Sequence, residues 1–157
     1  MKRNIGPTTL VLIVFAMFVV SMASSSALAQ QCSLAGAAGA YGFTGTGTLL
    51  LSTGAVPIAA AGRLNLRADG TLSGTEARSV GGDFANETLT GTWTVNANCR
   101  FTLTAKVFVS GALVRTSVLS GVLDENMTEA RDVQKSLMLP DGTNVPVVIT
   151  FEARRIF

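Results

Sequence analysis

Residues 88–109 read Thr-Leu-Thr-Gly-Thr-Trp-Thr-Val-Asn-Ala-Asn-Cys-Arg-Phe-Thr-Leu-Thr-Ala-Lys-Val-Phe-Val. Before the central Asn-Ala-Asn, Leu89, Gly91, Trp93 and Val95 alternate with Thr88, Thr90, Thr92 and Thr94. After it, Phe101, Leu103, Ala105, Val107 and Val109 alternate with Thr102, Thr104 and Lys106. A period of two sends successive side chains to opposite faces of a strand, one buried and one wet. Asn96-Ala97-Asn98 supplies turn residues between the two runs. The segment predicts an antiparallel hairpin with one face in a core.

The same rhythm extends both ways. Toward the N-terminus it predicts strands near 40–50, 58–67 and 71–80. Asp69-Gly70 makes the second turn, a strong hairpin signal. Gly81-Gly82-Asp83 leads into the strand at 84–95. Toward the C-terminus, Ser110-Gly111 precedes a strand at 114–123, and Pro140-Asp141-Gly142 precedes one at 145–156. The last places Val147, Ile149, Phe151 and Ala153 on one face. Between them, 127–139 has two readings. Asp124 is able to cap a short helix with Met127, Ala130, Gln134 and Leu137 on one stripe. A strand is favoured, because both neighbours are strands and the linkers are short. The expected fold is all-β, an eight-stranded antiparallel up-and-down β-barrel (a meander), whose closure removes exposed edges. Its interior is either filled by side chains or holds one small ligand. Gly42, Gly45, Gly47, Gly62, Gly74, Gly91 and Gly121 fall inside the strands, as at bulges or tight bends.

The barrel is preceded by a different kind of sequence. Lys2 and Arg3, an uncharged apolar run from Leu10 to Val20, and Ala27-Leu28-Ala29 before Gln30 follow the signal-peptide order. The run is short for a bilayer span, which needs roughly 20 residues. The expected organisation is a cleavable signal-peptide helix over 1–29 and one barrel domain over 30–157. An uncleaved anchor is the alternative. A lipid anchor at Cys32 is disfavoured, because Gln30-Gln31 precede it where lipoprotein processing wants a small residue.

Removing Lys2 and Arg3 leaves ten basic and ten acidic side chains and no net charge. No basic footprint exists for nucleic acid. The chain has no histidine, which removes Ser-His-Asp and Cys-His catalysis and the commonest metal ligand. Two cysteines are too few for a Cys-rich zinc site. No cofactor is expected. In an oxidising compartment Cys32 and Cys99 are expected to pair. Closing a loop of about 68 residues stabilises by about 4 kcal/mol on the chain-entropy argument. Without C-x-x-C spacing, a redox role is the weaker reading.

Tyr41-Gly42-Phe43, the stretch 62–74 carrying Asp69-Gly70 and Ser73-Gly74, and above all residues 90–99 resemble a family of small exported bacterial proteins with lipocalin-like or allene-oxide-cyclase-like barrels. The likeness spans most of the mature chain. It implies the barrel and an exported, bacterial setting, and it implies no reaction and no catalytic residue. In that setting the Asn-x-Thr sequons at Asn86 and Asn126 are chance.

Candidate site residues remain few. Tyr41, Phe43, Trp93, Phe101 and Phe151 either line a ligand cavity or fill a solid core, and Glu76 adds a polar tip. Glu76 and Arg78 share one face of their strand, whose direction the pattern leaves open. Asp124 with Glu125, and Glu129 with Asp132, are possible acid–base pairs. Beside Arg131 and Lys135 they read better as solvated, charge-balanced surface. The leading expectation is a periplasmic or secreted barrel that binds a small apolar ligand and is not an enzyme. A structural or interaction protein with a filled core is the alternative. An outer-membrane barrel, suggested by terminal Phe157, lacks aromatic girdles. A barrel isomerase or cyclase has no marked site. Stable membrane insertion of the mature chain is not expected.

Intact-mass spectrometry of protein from the exported fraction is expected to give a chain beginning at Gln30, two protons lighter than its reduced form. A chain retaining Met1 would contradict cleavage after Ala29 and leave the uncleaved anchor.

Overall fold

In the computed structural model, described for residues 31–156, the alternation at 88–109 becomes a strand pair. The strand Asp83–Val95 (β4) pairs with Arg100–Val109 (β5), with Leu89 opposite Val107 and Trp93 opposite Leu103 on the buried face. Thr88, Thr90, Thr92 and Thr94 face outward and are exposed. Around this pair run Gly39–Leu51 (β1), Gly54–Leu66 (β2), Thr71–Val80 (β3), Ala112–Leu123 (β6), Glu129–Met138 (β7) and Val147–Ile156 (β8). Each is antiparallel to its sequence neighbours, and β8 returns to β1, closing an eight-stranded up-and-down barrel. The expected fold class is therefore the observed one. The signal segment, its cleavage point at Ala29 and Gln30, and Phe157 lie outside the described residues. No helix among the described residues is long and apolar enough to cross a membrane.

Two local expectations need correction. The second strand begins at Gly54, ahead of Pro57, and not at 58. A proline usually ends a ladder because it lacks an N–H. Here Pro57 lies past the last β2–β3 pair, Ile58 with Val80, and only its carbonyl is used, by the Gly81 amide at 2.9 Å. Residues 129–138 are a strand, which removes the helix alternative. Asp124 does cap backbone, but that of a tight turn. Its carboxylate accepts from the Thr128 amide (2.6 Å), the Glu129 amide (2.8 Å) and Thr128 Oγ1 (2.9 Å), with Met127 at φ 56°.

One end of the barrel is closed. A single helical turn, Leu34–Ala37 (α1), begins at Ser33, whose hydroxyl accepts from the Gly36 amide at 3.1 Å. Cys32 is disulfide-bonded to Cys99, with their Cα atoms 5.0 Å apart, and this ties α1 to the β4–β5 turn. Beneath α1 lie Leu72, Trp93, Phe101, Leu103, Leu123 and Met127. Buried polar atoms there are partnered, as burial requires. Trp93 Nε1 donates to Arg67 O at 3.0 Å. The Tyr41 hydroxyl, within reach of Met127 O (2.7 Å) and Ala37 O (2.9 Å), donates to them. Arg155 donates to the Ala38 and Gly36 carbonyls, satisfying the end of α1.

Tyr41→Phe deletes the donor for two buried carbonyls. It is expected to lower unfolding free energy by about 1–3 kcal/mol in urea denaturation, with the barrel retained. An unchanged midpoint would contradict this role for the hydroxyl.

Candidate functional site

Above the closed end the strands direct an unusual set of side chains into the lumen. Because β3 alternates inward from Leu72, Glu76 and Arg78 face in. Because β4 alternates inward from Trp93, so does Glu87. The register sets Glu76 directly opposite Glu87. Two carboxylates so placed repel each other. The compensation comes from β6, where Arg115, opposite Val107 and in step with buried Ser117, faces in. Its Nη2 lies 2.6 Å from Glu76 Oε1 and 2.7 Å from Glu87 Oε2, and Nη1 lies 2.9 Å from Glu87 Oε1. Arg78 Nε adds a fourth bond, 2.8 Å to Glu87 Oε1. One guanidinium thus reaches across the lumen over β5 and fastens two strands.

The network is lopsided. Burial pushes up on both carboxyls. Glu87, with three donors, is nonetheless held down to about 2 by the hydrogen bonds and charge of Arg115, with help from Arg78. Glu76, with one donor and Glu87 beside it, is pushed up to about 7, chiefly by burial. A third carboxyl, Asp132 on β7, has Oδ1 buried without a hydrogen-bond partner among the described residues. Burial alone pushes it up to about 7.

Glu76, Arg78, Arg115 and Asp132 border a cavity of about 70 Å³ whose other walls include Phe43, Leu89, Leu137 and Phe151. The Phe43 and Phe151 rings meet at a tilt, with centroids 6.2 Å apart. Glycines make room for them. A Cβ at Gly45 would lie 2.3 Å from the Phe151 ring, and one at Gly62 would lie 2.7 Å from that of Phe43. The wall is incomplete on one side. β7 and β8 pair only from Glu129–Arg154 to Val133–Thr150, while β8 and β1 pair over ten positions. Beyond the split, Gln134 Nε2 donates to the Ser136 carbonyl and to Ser117 Oγ, both at 3.1 Å.

Of the residues expected to line a cavity, Phe43, Glu76 and Phe151 do so. Tyr41, Trp93 and Phe101 pack instead at the closed end, because the strand stagger places them one or two layers lower. The acid–base pairs do not form. Three residues apart on one strand, Glu129 and Asp132 face opposite sides, and Asp124 is spent on its turn. Asp132 is not the solvated surface residue expected. Glu87 and Arg115 are not among the residues the sequence singles out. Alternation marks both, Glu87 two places before Leu89 and Arg115 two places before Ser117 on the inward faces of their strands. Among the described residues no group of three metal-ligating side chains is placed to hold a metal ion.

No protein-family model matches the chain, and no curated protein matches it. A solved structure described as EF1p2_mFAP2b bound to DFHBI is similar, with a TM-score of 0.50 at 11% identity, over 80% of this chain and 100% of that one. At that identity the likeness is one of fold.

Asp132, with its folded pKa raised from 3.8 to about 7, contributes stability present below pH 4 and lost as pH rises through 7. The difference is worth about 4 kcal/mol at most. Asp132→Asn is therefore expected to gain on the wild type between pH 4 and pH 8 in urea denaturation. Parallel pH profiles would contradict a buried, unpaired carboxyl.

Proposed function

We propose that this protein is an exported, non-catalytic binding barrel that holds one compact, mainly apolar molecule in its lumen. The observation that carries the reading is where the charges stand. Glu76, Arg78, Arg115 and Asp132 border a cavity that is otherwise mostly apolar, and Glu87 is ion-paired to both arginines. A barrel built only for stability has little use for them, since well-packed apolar residues replace buried ion pairs at no loss or at a gain. An apolar pocket with a few convergent polar groups is the usual form of a small-molecule site. The fold is able to serve, as EF1p2_mFAP2b was solved with DFHBI bound. The Cys32–Cys99 bond supports a non-reducing compartment. The basic, apolar and Ala-x-Ala order at the N-terminus supports export, with processing after Ala29.

Size favours a small guest. A cavity that takes benzene measures about 150 Å³, about twice the room here. The same fact favours a second reading, a filled barrel that works through a protein partner.

Native mass spectrometry of protein purified without detergent from the exported fraction separates the two. A bound mass released on denaturation is the expected result. A bare chain that also takes up no guest of a size to fit, such as ethanol or propanol, would contradict the lumen site and leave the filled barrel.

A further inference from the structure

Asp132 stands apart from the other lumen charges. Glu76, Glu87, Arg78 and Arg115 answer one another within hydrogen-bonding distance. Asp132 enters from β7, opposite Gly121 of β6 and Phe151 of β8. Its neighbours in the cavity wall are Leu119, Phe151, Ala153 and Gln134. The Gln134 amide nitrogen is already committed to Ser117 and Ser136. Arg131, the adjacent cation in sequence, is exposed on the outer face. A buried carboxyl oxygen left without a donor is uncommon enough to need an explanation.

We infer that Asp132 anchors a compact organic cation, a primary amine on a short apolar body, seated in the lumen. This rests on the lumen-binding reading above and gives it a ligand class. At pH 8 the charges favour a cation. With all groups ionised, two arginines face three carboxylates, and one positive charge restores balance. A primary ammonium also brings three N–H donors, and its charge-assisted hydrogen bond is roughly twice as strong as a neutral one. A carboxylate guest would add a like charge, and an alcohol would bring one neutral donor. The apolar body has a place to lie, since Phe43, Leu89 and Phe151 share the same cavity. The β7–β8 ladder breaks after Val133–Thr150, the pair next to Asp132–Phe151, and pairing resumes only at Met138–Asn144, so the backbone pairing of the wall is weakest beside the anchor.

The test is calorimetry at pH 8 on the mature disulfide-bonded chain, refolded to strip any carried ligand. The titrants are n-alkylamines from ethyl to hexyl, with the matching alcohols and carboxylates. One amine of the series is expected to bind one-to-one, at least tenfold tighter than its alcohol, with no carboxylate binding. Asp132→Asn, a near-isosteric neutral change, is expected to bring that amine to within twofold of the alcohol and leave the alcohol unchanged. In the wild type the same amine is expected to move the 13C carboxyl signal of Asp132 and not that of Asp124, a readout that needs no variant. Alcohols binding as tightly as amines, or an amine preference that survives Asp132→Asn, would overturn the anchor while the lumen site stands. No binding by any of the three classes would overturn both.

Discussion

Arg115 is the hinge on which the interior turns. Without its guanidinium, Glu76 and Glu87 would face each other across adjacent strands with Arg78 alone to offset them. Removing one partner of a buried ion pair typically costs about 3–5 kcal/mol, because the other charge stays buried and uncompensated. The arrangement also has a geometric consequence. β5 contributes only apolar side chains to the lumen here, Leu103, Ala105 and Val107, and Arg115 passes over them to reach β3 and β4. The polar bridge and the adjoining apolar cavity are therefore two results of one packing choice.

The two ends of the barrel divide the work. At the closed end the disulfide, α1, Trp93 and the Tyr41 hydroxyl form a conventional core in which polar atoms find partners. Higher up, packing gives way to charge, to an unpartnered carboxyl oxygen and to a seam where β7 and β8 part. Rigidity below and incomplete pairing above is what a receptive barrel requires, since a site that admits a guest must leave something unfilled.

The barrel was legible in the sequence because its signals are local. Period-two alternation in β4 and β5, and Asp-Gly or Gly-Gly between runs, declare strands and turns without reference to the rest of the chain. The lumen chemistry was legible only in part. Phe43, Glu76 and Phe151 were recognised by residue type. For Tyr41, Trp93 and Phe101 residue type left cavity wall and solid core open, and their height in the barrel depends on stagger, which no short window contains. Asp132 was hidden by its company. In a run with Glu129, Arg131 and Lys135 a carboxylate reads as solvated, and only alternation around Asp132 distinguishes it. Arg115 keeps the inward parity of Ser117 and Leu119, but an arginine in a strand reads by residue type as facing water.

The placement of charge inside the lumen is the central claim, and carbon-detected NMR titration of the side-chain carboxyls tests it most directly. Glu76 and Asp132 are expected to titrate near 7, with Glu87 well below the ordinary carboxylate range. All three titrating together near 4 would mean solvated carboxylates, and would contradict a charged, water-poor lumen.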